Sequence, residues 1–328
     1  MTYEADIREI ATALAIKRPV LSVVVPVKDE EDAIPAFLDR VIGVIAALDD
    51  PAASSFEILF VDDGSSDATL ELLRAANASD ERIRVVSFSR NFGKEAALSA
   101  GLDHARGEAV VPMDVDLQDP PEVLRAMIGK WREGFEIVYG VRTNRKQDSL
   151  SKRLSADLFY RAHNRLSQDK IPEHAGDYRL LDRKVVDVIR TMPERNRFMK
   201  GMFAWAGFRQ TAIEYVREAR QSGTTKFGFW KLWTFALDGI TSSSTVPLRV
   251  WSYVGAVIAL FAFAYACFIT TRTLILGVDV PGYASLIVAV LFLGGLQLLS
   301  LGIIGEYIGR ILIEAKQRPL YVVREQIG

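Results

Sequence analysis

The sequence predicts an α/β head followed by a two-helix transmembrane hairpin. Short β-rich apolar runs alternate with segments of helical length up to about position 225, polar residues gather where those runs end, and two long uncharged stretches lie at about 250–271 and 283–305. Alternation of this kind builds a mainly parallel sheet covered by helices on both faces.

The first segment, 1–20, carries Glu4, Asp6, Arg8 and Glu9 and lacks the basic start and apolar block of a signal peptide. Ile7, Ile10, Ala11 and Leu14 have helical spacing, which predicts a short amphipathic helix against the head or a neighbouring subunit. A catalytic head is expected over 21–225, with strands at 21–27, 56–62, 83–88, 109–113 and 136–141. Helices are expected between them at 30–48, 66–78, 93–105 and 120–133. The near-continuous apolar runs Ser22-Val23-Val24-Val25 and Ile58-Leu59-Phe60-Val61 fit strands buried on both sides.

Segment 226–247 includes Phe229, Trp230, Trp233, Phe235 and Leu237, a content suited to a helix lying in a membrane interface. The hairpin is placed at 248–310, each arm matching the roughly 20 apolar residues that cross a hydrocarbon core. Lys226, Lys231 and Arg249 precede it and Arg310, Lys316 and Arg318 follow it, so the positive-inside rule puts both flanks in the cytoplasm. A multi-pass membrane protein with a cytoplasmic head is therefore expected, with 311–328 as a cytoplasmic tail that returns to the head or a sister subunit.

A formal net charge of −1 with 25% charged residues gives no sign of nucleic-acid binding. Cys267 is the only cysteine, which excludes a disulfide within one chain and a cysteine zinc site. His104, His163 and His174 are scattered without metal-ligand spacing. Neither G-x-G-x-x-G after a strand nor G-x-x-x-x-G-K-[ST] occurs, which removes dinucleotide-dependent and P-loop chemistry.

Open sheets of this class bind ligands beyond the carboxyl ends of their strands. Four successive strand ends carry polar clusters here, beginning at Lys28, Asp62, Ser89 and Asp114. Asp114 and Asp116 are two residues apart at a strand end, which turns both carboxylates one way, and Gln118 follows at the same spacing. These are hard oxygen ligands suited to Mg²⁺ or Mn²⁺ completed by water and substrate phosphates, although D-x-D also arises in turns and solvated strand ends. Ser65, Ser66 and Asp67 read as a turn and helix cap. Asp62 and Asp63 are adjacent acids that repel unless they meet donors, and a nucleoside's base edge and ribose hydroxyl would supply them.

The runs Pro26-Val27-Lys28-Asp29-Glu30-Glu31, Asp62-Asp63-Gly64-Ser65-Ser66-Asp67, Ser89-Arg90-Asn91-Phe92-Gly93-Lys94, Met113-Asp114-Val115-Asp116-Leu117-Gln118-Asp119-Pro120-Pro121 and Asp177-Tyr178-Arg179-Leu180-Leu181-Asp182-Arg183 occur in that order. Together they resemble glycosyltransferase family 2, with the GT-A (nucleotide-diphospho-sugar transferase) fold. With the hairpin, the chain is similar to the bacterial polyprenyl-phosphate glycosyltransferases, relatives of dolichyl-phosphate mannose synthase.

The resemblance implies inverting transfer of a sugar from a nucleotide-sugar donor to a polyprenyl phosphate lipid. A UDP-hexose such as UDP-glucose and undecaprenyl phosphate are the expected pair. GDP-mannose is the rival donor, and a membrane-tethered sugar-nucleotide sensor without catalysis keeps the same fold. By the same resemblance Pro26, Asp29, Glu30, Asp62, Asp63 and Lys94 hold the nucleotide. Asp116 and Gln118 hold the metal, Asp114 sits near ribose or metal, and Asp177 lies near the reacting centre. Arg142 and Arg153 match arginines that bind the acceptor phosphate, although their basic run also reads as a solvated helix face. Arg217 and Lys226 belong to a loop that closes over the diphosphate as a lid. Relatives with such a hairpin often assemble, so a homo-oligomer is expected. The resemblance also implies the bacterial inner (cytoplasmic) membrane as the location. A processive polysaccharide synthase is disfavoured by the missing Q-x-x-R-W signature and by only two spans.

Overall fold

The computed structural model describes residues 18–143, 175–195, 197–216, 246–276 and 282–328. They form two compact units, a head closed by the last ten residues of the chain and a separate helical unit.

The head is one eight-stranded sheet. Its parallel centre comprises β1 (Leu21–Val27), β2 (Phe56–Asp62), β3 (Ile83–Phe88) and β4 (Ala109–Pro112). Beyond β4 lie β6 (Ala175–Asp182), β5 (Ile137–Arg142) and β7 (Gln210–Tyr215), and β8 (Val323–Ile327) closes the opposite edge. The full order is β7-β5-β6-β4-β1-β2-β3-β8. Antiparallel β6 separates β4 from β5, while β8 runs antiparallel to β3.

Side-chain alternation sorts the core into two layers. Val23 and Val25 of β1 and Ile58 and Phe60 of β2 meet α1 (Ile34–Ala46), α2 (Thr69–Ser79) and α4 (Val123–Arg132) on one face. Val24, Leu59 and Val61 meet α3 (Lys94–His104), α5 (Arg183–Thr191) and α6 (Met199–Trp205) on the other. Both faces of the central strands are thus covered, which is why their sequences are apolar without interruption.

At the sheet edge that opens β1, β2 and β3, a buried ion pair joins three strands. Arg84 Nη1 donates to Glu57 Oε2 at 2.7 Å, while Glu57 Oε1 accepts from Ser22 Oγ at 2.5 Å and from the Arg106 amide at 2.6 Å. Arg84 also reaches the carbonyls of His104 and of the terminal Gly328. Every charge there has a counter-charge or donor, the condition under which a buried pair is tolerated.

The tail expected to return to the head or to a sister subunit supplies β8 to the head's own sheet. Tyr321 stacks on Phe88 with ring centroids 5.0 Å apart and donates to Asp103 Oδ2 at 2.8 Å. The Ser89 amide donates to Val322 O at 3.0 Å, and Arg74 pairs with Glu325 at 2.5 Å. Residues 319–328 therefore belong to the head, because β3 offers an open edge whose backbone groups need partners.

The second unit holds α7 (Val246–Leu276) and α8 (Tyr283–Lys316). Within α8, Phe292–Lys316 is long and apolar enough to cross a membrane. This helix continues past the predicted end at 305, because Glu306 and Arg310 pair at i,i+4 and let the helix leave the apolar zone without breaking. Phe261, Phe263, Phe268, Phe292, Leu298 and Leu301 are all exposed, a density of bare apolar surface that a soluble unit does not carry. The two helices are the arms of the transmembrane hairpin. The segments expected at 1–17 and 226–245 lie outside the described residues.

Glu57→Ala should lower head stability by about 3–5 kcal/mol, because it strands the buried Arg84 charge and two donors. Denaturant unfolding followed by tryptophan fluorescence measures this, and a loss below about 1 kcal/mol would show that water already screens the pair.

Candidate active site

The carboxyl ends of β1 and β4 part company, and the reason is Pro26. Pairing between the two strands stops at Val24↔Pro112, whereas β1 stays paired with β2 as far as Val27↔Asp62. Val24 O accepts from the Met113 amide, so position 26 faces the same neighbour, and proline has no N–H to offer there. A crevice between strand ends where chain order reverses is the usual ligand position in open α/β sheets.

Four loops meet around this crevice, each fastened to the next. The loop after β1 is bonded to the loop after β2. Ser66 N–H donates to Asp29 Oδ1 at 2.7 Å, Asp29 N–H donates to Ser65 Oγ at 2.9 Å and Glu30 N–H donates to Thr69 Oγ1 at 3.0 Å. The Ser66 amide, helped by Lys28, holds the Asp29 carboxyl below the usual carboxylate range. Asp29 itself adopts a left-handed backbone with φ 54°.

The second loop is bonded to the third. Asp63 Oδ1 and Oδ2 accept from the Phe92 amide at 2.6 Å and the Gly93 amide at 2.9 Å, immediately before α3 begins. Burial raises the Asp63 pKa, and these two amides oppose that rise. Asp62 Oδ1 accepts from the Ser65 amide and its Oδ2 from Ser87 Oγ. The chain itself therefore supplies donors to both of these adjacent acids. Gly64, with φ 67°, cannot be replaced cheaply, since a Cβ there would lie 2.6 Å from the Arg90 carbonyl carbon.

The third loop is bonded to the fourth: Lys94 Nζ lies 2.8 Å from both carboxylate oxygens of Asp114. The strand-alternation argument for Asp114 and Asp116 needs correction, because β4 ends at Pro112, leaving Asp114 in irregular backbone beyond it and Asp116 in a turn. They nonetheless share a side with Gln118. Val115 and Leu117 are buried at 4% and 3% exposure, while Asp114, Asp116 and Gln118 stay partly exposed between them. Leu117 takes φ 52°, a strained conformation for a side chain of this size and one retained by its burial.

Two carboxylates and an amide oxygen, partly exposed, suit a cation that keeps several waters and binds phosphate oxygens. Among the described residues no three His, Cys, Asp or Glu side chains gather to hold a metal on their own. The residues present therefore fit Mg²⁺ or Mn²⁺ shared with a diphosphate, and do not form a closed cage.

The fourth loop is bonded to a fifth strand end, a contact the sequence did not reveal. Asp119, 5% exposed, accepts from Tyr215 Oη at 2.5 Å, and Arg142 at the end of β5 donates through Nε to the same phenol at 3.4 Å. Neither Asp119 nor Tyr215 stood out as a site residue. The pairing of Tyr215 with Arg142 across β7 and β5 is visible only in three dimensions. Asp177 lies in β6, within the irregular stretch of its pairing with β5. Arg153, Arg217 and Lys226 lie outside the described residues.

Residues 22–190 match the family model described as glycosyl transferase family 2, and residues 246–311 match the GtrB C-terminal hairpin. An uncharacterized glycosyltransferase of Synechocystis is 52% identical over 94% of this chain and 96% of its own. The prophage bactoprenol glucosyl transferase homolog of Escherichia coli K12 and the bactoprenol glucosyl transferase of Shigella phage SfV are each 49% identical, over 93% of this chain and 98% of their own.

Asp63→Asn leaves one acceptor oxygen for two amides and turns an NH₂ group toward the other donor. Hydrogen exchange at Phe92 and Gly93 should accelerate about tenfold or more, the consequence of losing roughly 1–3 kcal/mol at a buried polar contact. Unchanged exchange would mean that the loop is held elsewhere.

Proposed function

The chain belongs to glycosyl transferase family 2 and carries the GtrB C-terminal hairpin, and from that membership we propose that it transfers glucose from UDP-glucose to the phosphate of a polyprenyl lipid. The observation that carries this reading is near-full-length similarity, at 49% identity, to proteins named bactoprenol glucosyl transferases. Undecaprenyl phosphate is the proposed acceptor.

The proposed setting is the cytoplasmic face of a bacterial inner membrane. β7, before the hairpin in sequence, and β8, after it, belong to one sheet, which supports an out-and-back pair of crossings. The basic residues flanking the two spans support a cytoplasmic head.

In the proposed reaction an acceptor phosphate oxygen forms a bond to the anomeric carbon as the bond from that carbon to the nucleoside diphosphate breaks on the opposite side, which inverts the centre. The lipid phosphate is already anionic near neutral pH, so no strong base has to take a proton. Arg142 meets this phosphate, a task suited to a planar guanidinium that binds two oxygens at once. Asp29, Asp62 and Asp63 shape the pocket for the nucleoside through the amides they hold. Asp177 orients the sugar and offsets positive charge developing at its ring. Asp116 and Gln118, with Asp114 beside them, would hold a divalent cation, which would offset the negative charge of the departing diphosphate.

The test is transfer by detergent-solubilised protein from labelled UDP- and GDP-sugars to undecaprenyl phosphate, with Mg²⁺ or Mn²⁺ and an EDTA control. UDP-glucose should give an organic-extractable product that EDTA abolishes. Product from GDP-mannose alone would replace the sugar assignment, and donor binding without product from any donor would support a sensor. Asp116→Ala should remove turnover and metal-dependent donor binding together, whereas metal-stimulated activity in that variant would remove Asp116 from the cation site. Asp177→Asn should lower kcat by about tenfold or more at saturating substrates, and an unchanged kcat would leave Asp177 a structural residue.

A further inference from the structure

We propose that Tyr215 and Asp119 are positioning residues that fix Arg142 against the acceptor phosphate and tie it to the loop bearing Asp114 and Asp116. This inference rests on the reading of Arg142 as the acceptor-phosphate ligand and adds the two residues that aim it.

The geometry is a relay. Arg142 Nε donates to Tyr215 Oη at 3.4 Å, and that phenol donates to Asp119 Oδ1 at 2.5 Å. Arg142 Nη2 lies 3.9 Å from the same Asp119 oxygen. A directly bidentate Asp119–Arg142 pair would turn the guanidinium fork toward the carboxylate and spend its charge there. With the phenol interposed, the carboxylate takes its hydrogen bond from a neutral donor, and the phenol orients the guanidinium through Nε. Burial and the Asp119 charge both raise the Tyr215 pKa, so the phenol keeps its proton throughout the working pH range.

The surroundings are built for this ring. Gly140, in β5 beneath it, could not carry a Cβ, which would lie 2.6 Å from Tyr215 Cε1. Tyr178 packs edge-on against Tyr215 with centroids 5.9 Å apart, and its own hydroxyl donates to Pro120 O next to Asp119. Thr143 bonds the Tyr215 carbonyl through both its amide and its hydroxyl. Asp119 follows Asp116 and Gln118 on the same loop, so the relay sets the distance between the cation ligands and the acceptor arginine. That distance must match the separation of departing diphosphate and attacking phosphate, where small errors in position cost rate.

Steady-state kinetics with separately varied UDP-glucose and undecaprenyl phosphate test the inference in the full-length protein. Tyr215→Phe keeps the ring and removes the relay. It should raise the acceptor KM about tenfold, the loss expected for a charge-assisted hydrogen bond, with the donor KM within about twofold of the parent and cooperative unfolding retained. Asp119→Asn should act in the same direction and covers the case in which Tyr215→Phe folds poorly. Arg142→Ala should raise the acceptor KM further, and Tyr215→Phe should add nothing to it, as a residue acting through Arg142 must. Multiplying effects, or an acceptor KM that neither Tyr215→Phe nor Asp119→Asn moves while Arg142→Ala raises it, would overturn the inference and leave Arg142 in place. An acceptor KM indifferent to Arg142→Ala would overturn the reading of Arg142 and the inference with it.

Discussion

The carboxylate of Asp63 is the contact on which the rest of the site depends. It stands at the end of a fully buried strand, and its two oxygens take the last free amides before α3. A helix start carries partial positive charge, so an acid from another strand placed against the amides just before it is stabilised there and pins the entry to the helix. Because the bond comes from β2, the Ser89–Gly93 loop cannot move independently of the sheet. Lys94, the first residue of that helix, then arrives beside Asp114 at a set distance. Loss of this one anchor would release the third loop from the second and the fourth from the third.

Much of the head was legible because its central strands obey one rule. Buried on both faces, they read as apolar runs, and the boundaries of β1, β2 and β3 fall where the polar residues begin. The antiparallel additions were harder to see. In β6 the strand coincides with the Asp177–Arg183 motif, whose charges mask its periodicity. In β7 only alternate residues are covered, and β8 is five residues long. Of the candidate site, what was legible is the gathering of Asp29, Asp63 and Asp114 just beyond strand ends, where polar residues follow apolar runs. The local reasons differed. Asp114 and Asp116 share a side because Val115 and Leu117 are buried between them, and Asp62 and Asp63 meet amides and a serine from their own chain. Asp119 and Tyr215 were not legible, since their significance lies in a contact between residues far apart in sequence.

The return of the chain after α8 is part of the same construction. Tyr321 lies flat on Phe88, and the bond from Ser89 to Val322 falls where β3 becomes the loop anchored by Asp63. The strand therefore closes an edge that would otherwise invite pairing with other chains. Arg84 reaches the Gly328 carbonyl from the opposite end of the strand, so β8 is fixed at both of its ends.

The distribution of charge decides what such a site can hold. Five acids, Asp29, Asp62, Asp63, Asp114 and Asp116, gather at strand ends proposed to receive two anionic substrates, an arrangement that is self-defeating until their partners are counted. Asp62 and Asp63 point their charge into backbone amides and a serine hydroxyl, and Asp29 into Ser66 and Lys28. These three are spent on structure and repel an incoming phosphate weakly, because each is already met by donors at hydrogen-bond distance. Asp114 and Asp116 stand beyond the end of β4, partly exposed, with Lys94 beside the first and Gln118 N–H on the second. On the proposed reading, a divalent cation would be held there, between protein and diphosphate. On the far side, a phenol stands between Arg142 Nε and Asp119 and aims the guanidinium, while Asp119 lies 3.9 Å from Nη2. The proposed reaction thus sets a cation at one edge and a phosphate at the other, which is the polarity required to part a diphosphate from a sugar at one edge and bring a phosphate to it at the other.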